Sequence, residues 1–201
     1  MAEPQTNDTG RKKIKLFKML SDEATADMAQ ATWESSSAYR EEQQKIAEEQ
    51  RRWANPEVGD EMPDGTFYLG RFQSKDGTQK DWFAAAEDAQ DGNGKRLSLN
   101  FNEAAEYARN SKAHGHDDWM VPPGYYDGKG EPDILNALFN NKAKIGGFDE
   151  TGSNPSGWYW SSSPYYFNDV YARIQRFSDG DQFNDLKRYG LSVRFVRSLT
   201  I

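Results

Sequence analysis

The chain contains no cysteine. That excludes disulfide stapling and thiol nucleophiles, and it leaves the redox compartment unmarked. Histidine is nearly absent too: only His114 and His116 occur, so a three-histidine metal site is excluded. No apolar run approaches the roughly 18 residues of a bilayer span, so no membrane span is expected. The opening MAEPQTNDTG has neither the basic start nor the apolar stretch of a signal peptide. The expectation is synthesis in a cytoplasm. Cationic charge is the minority, 25 Lys and Arg against 32 Asp and Glu, for a net charge of −7. A nucleic-acid footprint over the whole surface is therefore not expected. With 36% hydrophobic residues and a mean hydropathy of −0.97, a single small core is the ceiling. Its 201 residues fit one compact domain plus an extension.

What the chain does have is a concentration of aromatic rings in residues 157–199. Val170, Ala172 and Ile174 alternate there with Tyr171, Arg173 and Gln175, the period of a half-buried strand. Ser178-Asp179-Gly180-Asp181 reads as a tight hairpin turn. Leu191, Val193, Phe195 and Leu199 then share one parity, with Ser192, Arg194 and Ser198 on the other. The pattern predicts a terminal antiparallel ladder with one buried face. Tyr, Phe, Asn, Asp, Arg and Lys fill its loops, the vocabulary of binding surfaces.

Upstream, residues 1–20 form a polar leader ending in the basic-apolar run Arg11–Leu20. That run reads as an anchor for an acidic partner, as an arm touching lipid or nucleic acid, or as a first turn covering its own domain. Ser21-Asp22-Glu23 opens a long predicted helix reaching Trp53, and Asn55-Pro56 stops it. Tyr39, Ile46 and Trp53 recur every seven residues as a thin stripe, while Gln43 and Gln50 beside it argue against a strong coiled coil. Residues 21–56 thus read as a stalk or attachment segment, through which copies of the chain or a virion partner would dock via residues 11–54. From residue 57 to 201 the texture is that of a compact domain. It has turns at Pro63-Asp64-Gly65, Lys75-Asp76-Gly77-Thr78 and 91–95, and helices at 100–111 and 132–141. Glycine-rich loop follows over 144–155. The 91–95 turn lacks the spacing of a phosphate loop. His114 and His116 beside Asp117 and Asp118 have ligand chemistry, but Gly115 between them suggests a turn.

Four motifs recur in order: Asp118-Trp119-Met120-Val121-Pro122, Tyr159-Trp160-Ser161-Ser162-Ser163, Phe177-Ser178-Asp179-Gly180 and Val193-Arg194-Phe195-Val196-Arg197. Over about residues 66–199 the chain resembles the Lcl C-terminal domain family. Departures are Met120 where arginine is usual, Pro123 where threonine is usual, and the inserted segment 124–130. The resemblance implies an α+β, C-type lectin-like fold of the formylglycine-generating-enzyme-like branch. Such a fold is a small twisted antiparallel sheet with two flanking helices, here preceded by the long N-terminal helix. It is similar to the variable proteins of diversity-generating retroelements, whose diversified positions lie in the last segment.

The matching positions are Tyr165, Tyr166, Phe167, Asn168, Asp169, Arg173, Phe183, Asn184, Asp185, Arg188 and Tyr189. They are the expected ligand-binding set, for a protein or glycan ligand on a cell surface. The resemblance implies a retroelement-diversified adhesin, and the stalk, basic leader and lack of a signal peptide suit a phage- or virion-associated one. Catalysis, a cofactor and a metal are not expected: the formylglycine chemistry needs cysteines, and the iron-dependent relatives need a third histidine. Trp119 and Trp160 read as core, and Arg194 and Arg197 as braces of the sheet. Carboxylate pairs such as Asp179 with Asp181 or Asp185 keep glycoside hydrolysis open as an alternative. An assembly protein working through its N-terminal helix is the other.

Overall fold

A computed structural model describes residues 30–34, 36–125, 130–151 and 157–201. The leader, the predicted helix start at Ser21 and part of the 144–155 loop lie outside these. The chain divides into two units, Met1–Arg51 and Arg52–Ile201.

In the first unit the predicted single helix is interrupted. Residues 30–34 are helical, and helix α1 restarts at Ser37 and runs to Ala54. Ser36 marks the break. Its hydroxyl donates to the Trp33 carbonyl at 2.5 Å and accepts the Tyr39 amide at 3.1 Å. A serine hydroxyl competes with the helical ladder in this way, which makes serine a capping residue rather than an interior one. No residue of α1 is fully buried; Tyr39 and Ile46 are half-buried.

The second unit is α+β, with two three-stranded antiparallel sheets. Strand β1 (Phe67–Gln73) turns through Lys75–Thr78 into β2 (Gln79–Asp88), and the far edge of β2 pairs with β6 (Arg194–Thr200). Strands β3 (Trp158–Pro164), β4 (Tyr171–Arg176) and β5 (Gln182–Leu186) make the second sheet in that order. The expected terminal ladder is thus corrected: the last strand leaves β4 and β5 and completes the first sheet. Residues Leu191–Arg197 are all buried, so neither parity faces water. They thread between the sheets, Leu191 bridging Leu99 and Ser192 bridging Tyr159.

Two helices cover opposite faces. In α2 (Phe101–Asn110) Asn100 is the N-cap, its Oδ1 accepting the amides of Asn102 and Glu103 while Glu103 reaches back to the Asn100 amide. This capping box satisfies three amides that a helix start otherwise leaves open. Ala104 and Ala108 face inward with Trp119, Trp160, Ala172, Ile174 and Phe195. Helix α3 (Ile134–Ile145), capped by Asp133, extends past the predicted end at 141. Its Ile134, Leu135 and Leu138 pack with Trp82, Tyr159, Phe177 and Val196. Alternation along β3 sends Trp160 to the α2 side and Tyr159 to the α3 side. Both faces of the sheet are therefore core-forming where helices lie on them.

The cores meet at a polar hub. Arg194 Nε lies 2.7 Å from Asp88 Oδ1, and Arg194 also donates to the carbonyls of Ala85 and Ala86 at 3.2 and 2.9 Å. Asp88 Oδ2 accepts the Tyr159 hydroxyl at 2.7 Å and faces Arg96 at 3.1 Å. Phe148 stacks on the Arg194 guanidinium at 3.9 Å. A buried charge is tolerable only with such complete pairing. Arg197 braces the sheet through Asp118 at 2.8 Å.

Candidate functional site

The site is built around the β3–β4 and β4–β5 hairpins. Between β3 and β4 the chain turns through residues 165–170, closed by Tyr165 N–H to the Tyr171 carbonyl at 3.0 Å. Asn168 is consumed by this turn: its Oδ1 accepts the Val170 amide at 3.2 Å and its carbonyl accepts the Tyr171 amide. Tyr166 and Phe167 project from the tip with 85% and 80% of their surface exposed. Asp169 is exposed beside them. Phe167 contacts Tyr166 at 5.2 Å and Tyr165 at 5.6 Å, at interplanar angles of 86° and 64°.

Arg173 stands at the root of the tip. Its guanidinium lies 5.0 Å from the Tyr165 ring and 5.7 Å from that of Tyr125. Its Nε is buried without a hydrogen-bond acceptor, and no carboxylate pairs with it among the described residues. Asn184, directly opposite on β5, also has a buried Oδ1 without a partner. Gly124, Tyr125, Asp133 and Gln182 line a small hollow beside Arg173. Asp133 is already engaged by the Asn136 amide and the Gln182 side chain. Gly124 is obligatory there, since a Cβ would sit 2.7 Å from Ser161 Cβ.

The remaining expected residues do not join this strip. Phe183 and Asp185 alternate with Asn184, and their register partners Ile174 and Ala172 point to the α2 side. Phe183 is 63% exposed there, because β5 is an edge strand extending past the core. Asp185 accepts the Leu186 amide at 2.8 Å. Arg188 and Tyr189 sit together on the β5–β6 connection, guanidinium over ring at 5.2 Å. The Tyr189 hydroxyl raises Arg188 above its ordinary value. Arg188 lines a separate open cleft with Asn100, Asn102, Val170, Leu186 and Lys187. The single expected patch is thus divided. Tyr165, Tyr166, Phe167, Asp169, Arg173 and Asn184 belong to the strip and its tip; Phe183 and Asp185 lie on the opposite side of β5, and Arg188 and Tyr189 on the β5–β6 connection. Tyr125 joins the strip without any signal in the sequence, since only the fold brings it to Arg173.

The polar residues with catalytic overtones are engaged structurally. Ser161 donates to the Arg173 carbonyl at 3.0 Å, and Ser163 to the Gly124 carbonyl at 3.1 Å. Arg176 clamps Asp179 through two bonds at 2.8 and 2.6 Å, which hold the Asp179 carboxyl below its usual range. A general acid requires the opposite shift. His114 and His116 both pin the Pro63–Gly65 turn: His114 Nδ1 contacts the Asp64 carbonyl at 3.1 Å, and His116 Nε2 the Asp64 carboxylate at 2.8 Å. His114 adopts a positive φ of 54° to do so. Among the described residues no group of three or more His, Asp or Glu side chains gathers as a metal site, and no helix is long and apolar enough to cross a membrane.

A comparison with models of known protein families finds no match, and a comparison with curated proteins likewise finds none.

Proposed function

We propose that this chain is a non-enzymatic recognition protein with a C-type lectin-like second unit, binding a cell-surface ligand through the strip running from Tyr125 to the 165–167 tip. The observation that carries the reading is the exposure of Tyr166 and Phe167, at 85% and 80%, on a hairpin whose base is fixed in the core. Soluble proteins seldom expose adjacent large rings without using them. Rings with few rotatable bonds, on a rigid sheet, lose little entropy on binding. The ordered motifs from Asp118 to Arg197 support the lectin-like reading, as do the helices on opposite faces of the sheets. A virion-carried or retroelement-diversified adhesin is the form of recognition protein it fits.

The test is a panel of glycans and cell-surface proteins screened against the full chain and a Tyr166→Ala/Phe167→Ala variant. The reading requires that capture by the parent chain be lost in the variant while its melting temperature stays unchanged. Capture that survives the double change, or a product released from any glycan, refutes it.

A second reading is an assembly protein acting through residues 11–54. It is favoured by α1, which runs from Ser37 to Ala54 without burying one residue fully; a helix that thin in apolar surface gains stability from a partner. Removing residues 1–54 separates the two. A recognition protein keeps its ligand, and an assembly protein loses its partner.

A further inference from the structure

The ligand-binding strip carries a second message, concerning what kind of ligand it fits. Among the buried and half-buried arginines of the second unit, Arg194 is answered by Asp88, Arg197 by Asp118 and Arg176 by Asp179, and even the exposed Arg71 and Arg96 face Asp81 and Asp88. Arg173 breaks the pattern. Half-buried, its guanidinium lies near the rings of both Tyr125 and Tyr165, and its Nε is closed off without an acceptor among the described residues. The nearest acid in its hollow, Asp133, is committed to the α3 cap and to Gln182. A half-buried guanidinium without a carboxylate partner is costly, and folds rarely keep one that serves nothing. Two tyrosine rings hold the guanidinium by cation–π contact, and its planar fork is the donor with which arginine reads a carboxylate.

The rings beside it decide between sources of that carboxylate. A sugar ring stacks on a broad, level aromatic face. Tyr166 and Phe167 stand 86° apart and Phe167 and Tyr165 64° apart, so the tip is a protruding knob rather than a platform. A knob needs a concavity with apolar walls, which a protein surface supplies.

We propose that Arg173 is the anchor for an aspartate or glutamate carboxylate of a protein partner, seated next to an apolar depression that takes Tyr166 and Phe167. This rests on the recognition reading above and narrows it.

The experiment is selection of displayed random peptides on the full chain, followed by calorimetry on the peptides recovered. The recovered peptides should share an Asp or Glu beside apolar residues. Replacing that acid by its amide, or making Arg173→Gln, should each weaken binding about tenfold or more. The two changes together should cost little beyond either alone. Arg173→Lys, which keeps the charge but not the fork, should recover only part of the affinity. An unchanged melting temperature for each variant shows that the scaffold is intact. Peptides that need Tyr166 and Phe167 but ignore Arg173 would leave the recognition reading standing and overturn this inference. Arg173-dependent binding of sialylated or uronate glycans with no peptide recovered would overturn it as well. Failure to recover any binder, peptide or glycan, would overturn both.

Discussion

Arg194 and Asp88 meet at 2.7 Å with both side chains sealed from solvent, joining the final strand to the end of β2. Around them Tyr159, Arg96 and the carbonyls of Ala85 and Ala86 complete the bonding. Removing one partner of such a pair leaves the other charged in a medium that cannot solvate it. Asp88→Ala should therefore cost about 3–5 kcal/mol in urea unfolding. Arg194→Met should cost less, because Asp88 keeps Arg96 and the Tyr159 hydroxyl. A loss for Asp88→Ala no larger than that of an exposed pair, under about 1 kcal/mol, would show the hub to be dispensable.

Stability should fall at both ends of the pH scale, through named groups. For Asp64 and Asp118 burial by itself raises the carboxyl. Thr66 and His116 outweigh it at Asp64, as Arg197 does at Asp118, so both end below the ordinary 3.8. Their contribution is complete above that value and disappears as pH falls through the lowered folded values. Asp64→Asn and Asp118→Asn should each flatten the acid limb of a stability-versus-pH curve. Burial first, then the bond to Asp81, pushes Tyr68 up to about 12. Burial and the Asp88 charge push Tyr159 up further still. Their contribution is complete below the ordinary 10.0 and is lost as pH rises beyond it. In an ultraviolet titration two tyrosines should resist ionisation until the chain unfolds. Tyr68→Phe and Tyr159→Phe should each remove one from that late group.

Gly180 closes the β4–β5 turn at φ 84°, and a Cβ there would lie 2.4 Å from Phe139 Cε1. Gly180→Ala meets both backbone strain and overpacking, and should destabilise by about 1–3 kcal/mol. Gly92, whose surroundings within 4 Å are empty, is the control: Gly92→Ala should be nearly neutral. Thermal melts of the two variants side by side give the comparison.

Local chemistry was readable in the sequence. The two short helices, the Lys75–Thr78 and Ser178–Asp181 turns and the two core tryptophans all follow from short-range rules. Pairing at a distance was not. Buried polar Ser192 and Arg194 mimic a solvent parity, so 191–199 reads as half-exposed although both sides of 191–197 are covered. Gln175 reads as outward for the same reason, yet it is buried and bonds Asn136 on α3 at 3.0 Å.

At the candidate site the alternation of a strand was itself enough to separate Phe183 and Asp185 from Asn184, once β5 was known to be a strand. With its glycine turn and polar run, that segment reads as loop. The place of Tyr125 depends on residues 48 positions apart being brought together, Arg173 being the other. No local pattern encodes that.

The route of the final strand bears on how the protein is made. Lys80 pairs with Thr200, so β2 gains its second neighbour only after nearly all of the intervening chain has been synthesised. At about 5–20 residues per second, a nascent β1–β2 hairpin waits roughly 6–24 s with Trp82 and Ala84 uncovered and one edge open. Bare edges recruit other chains. Whatever shields the hairpin until β6 emerges should govern how much of this protein escapes aggregation.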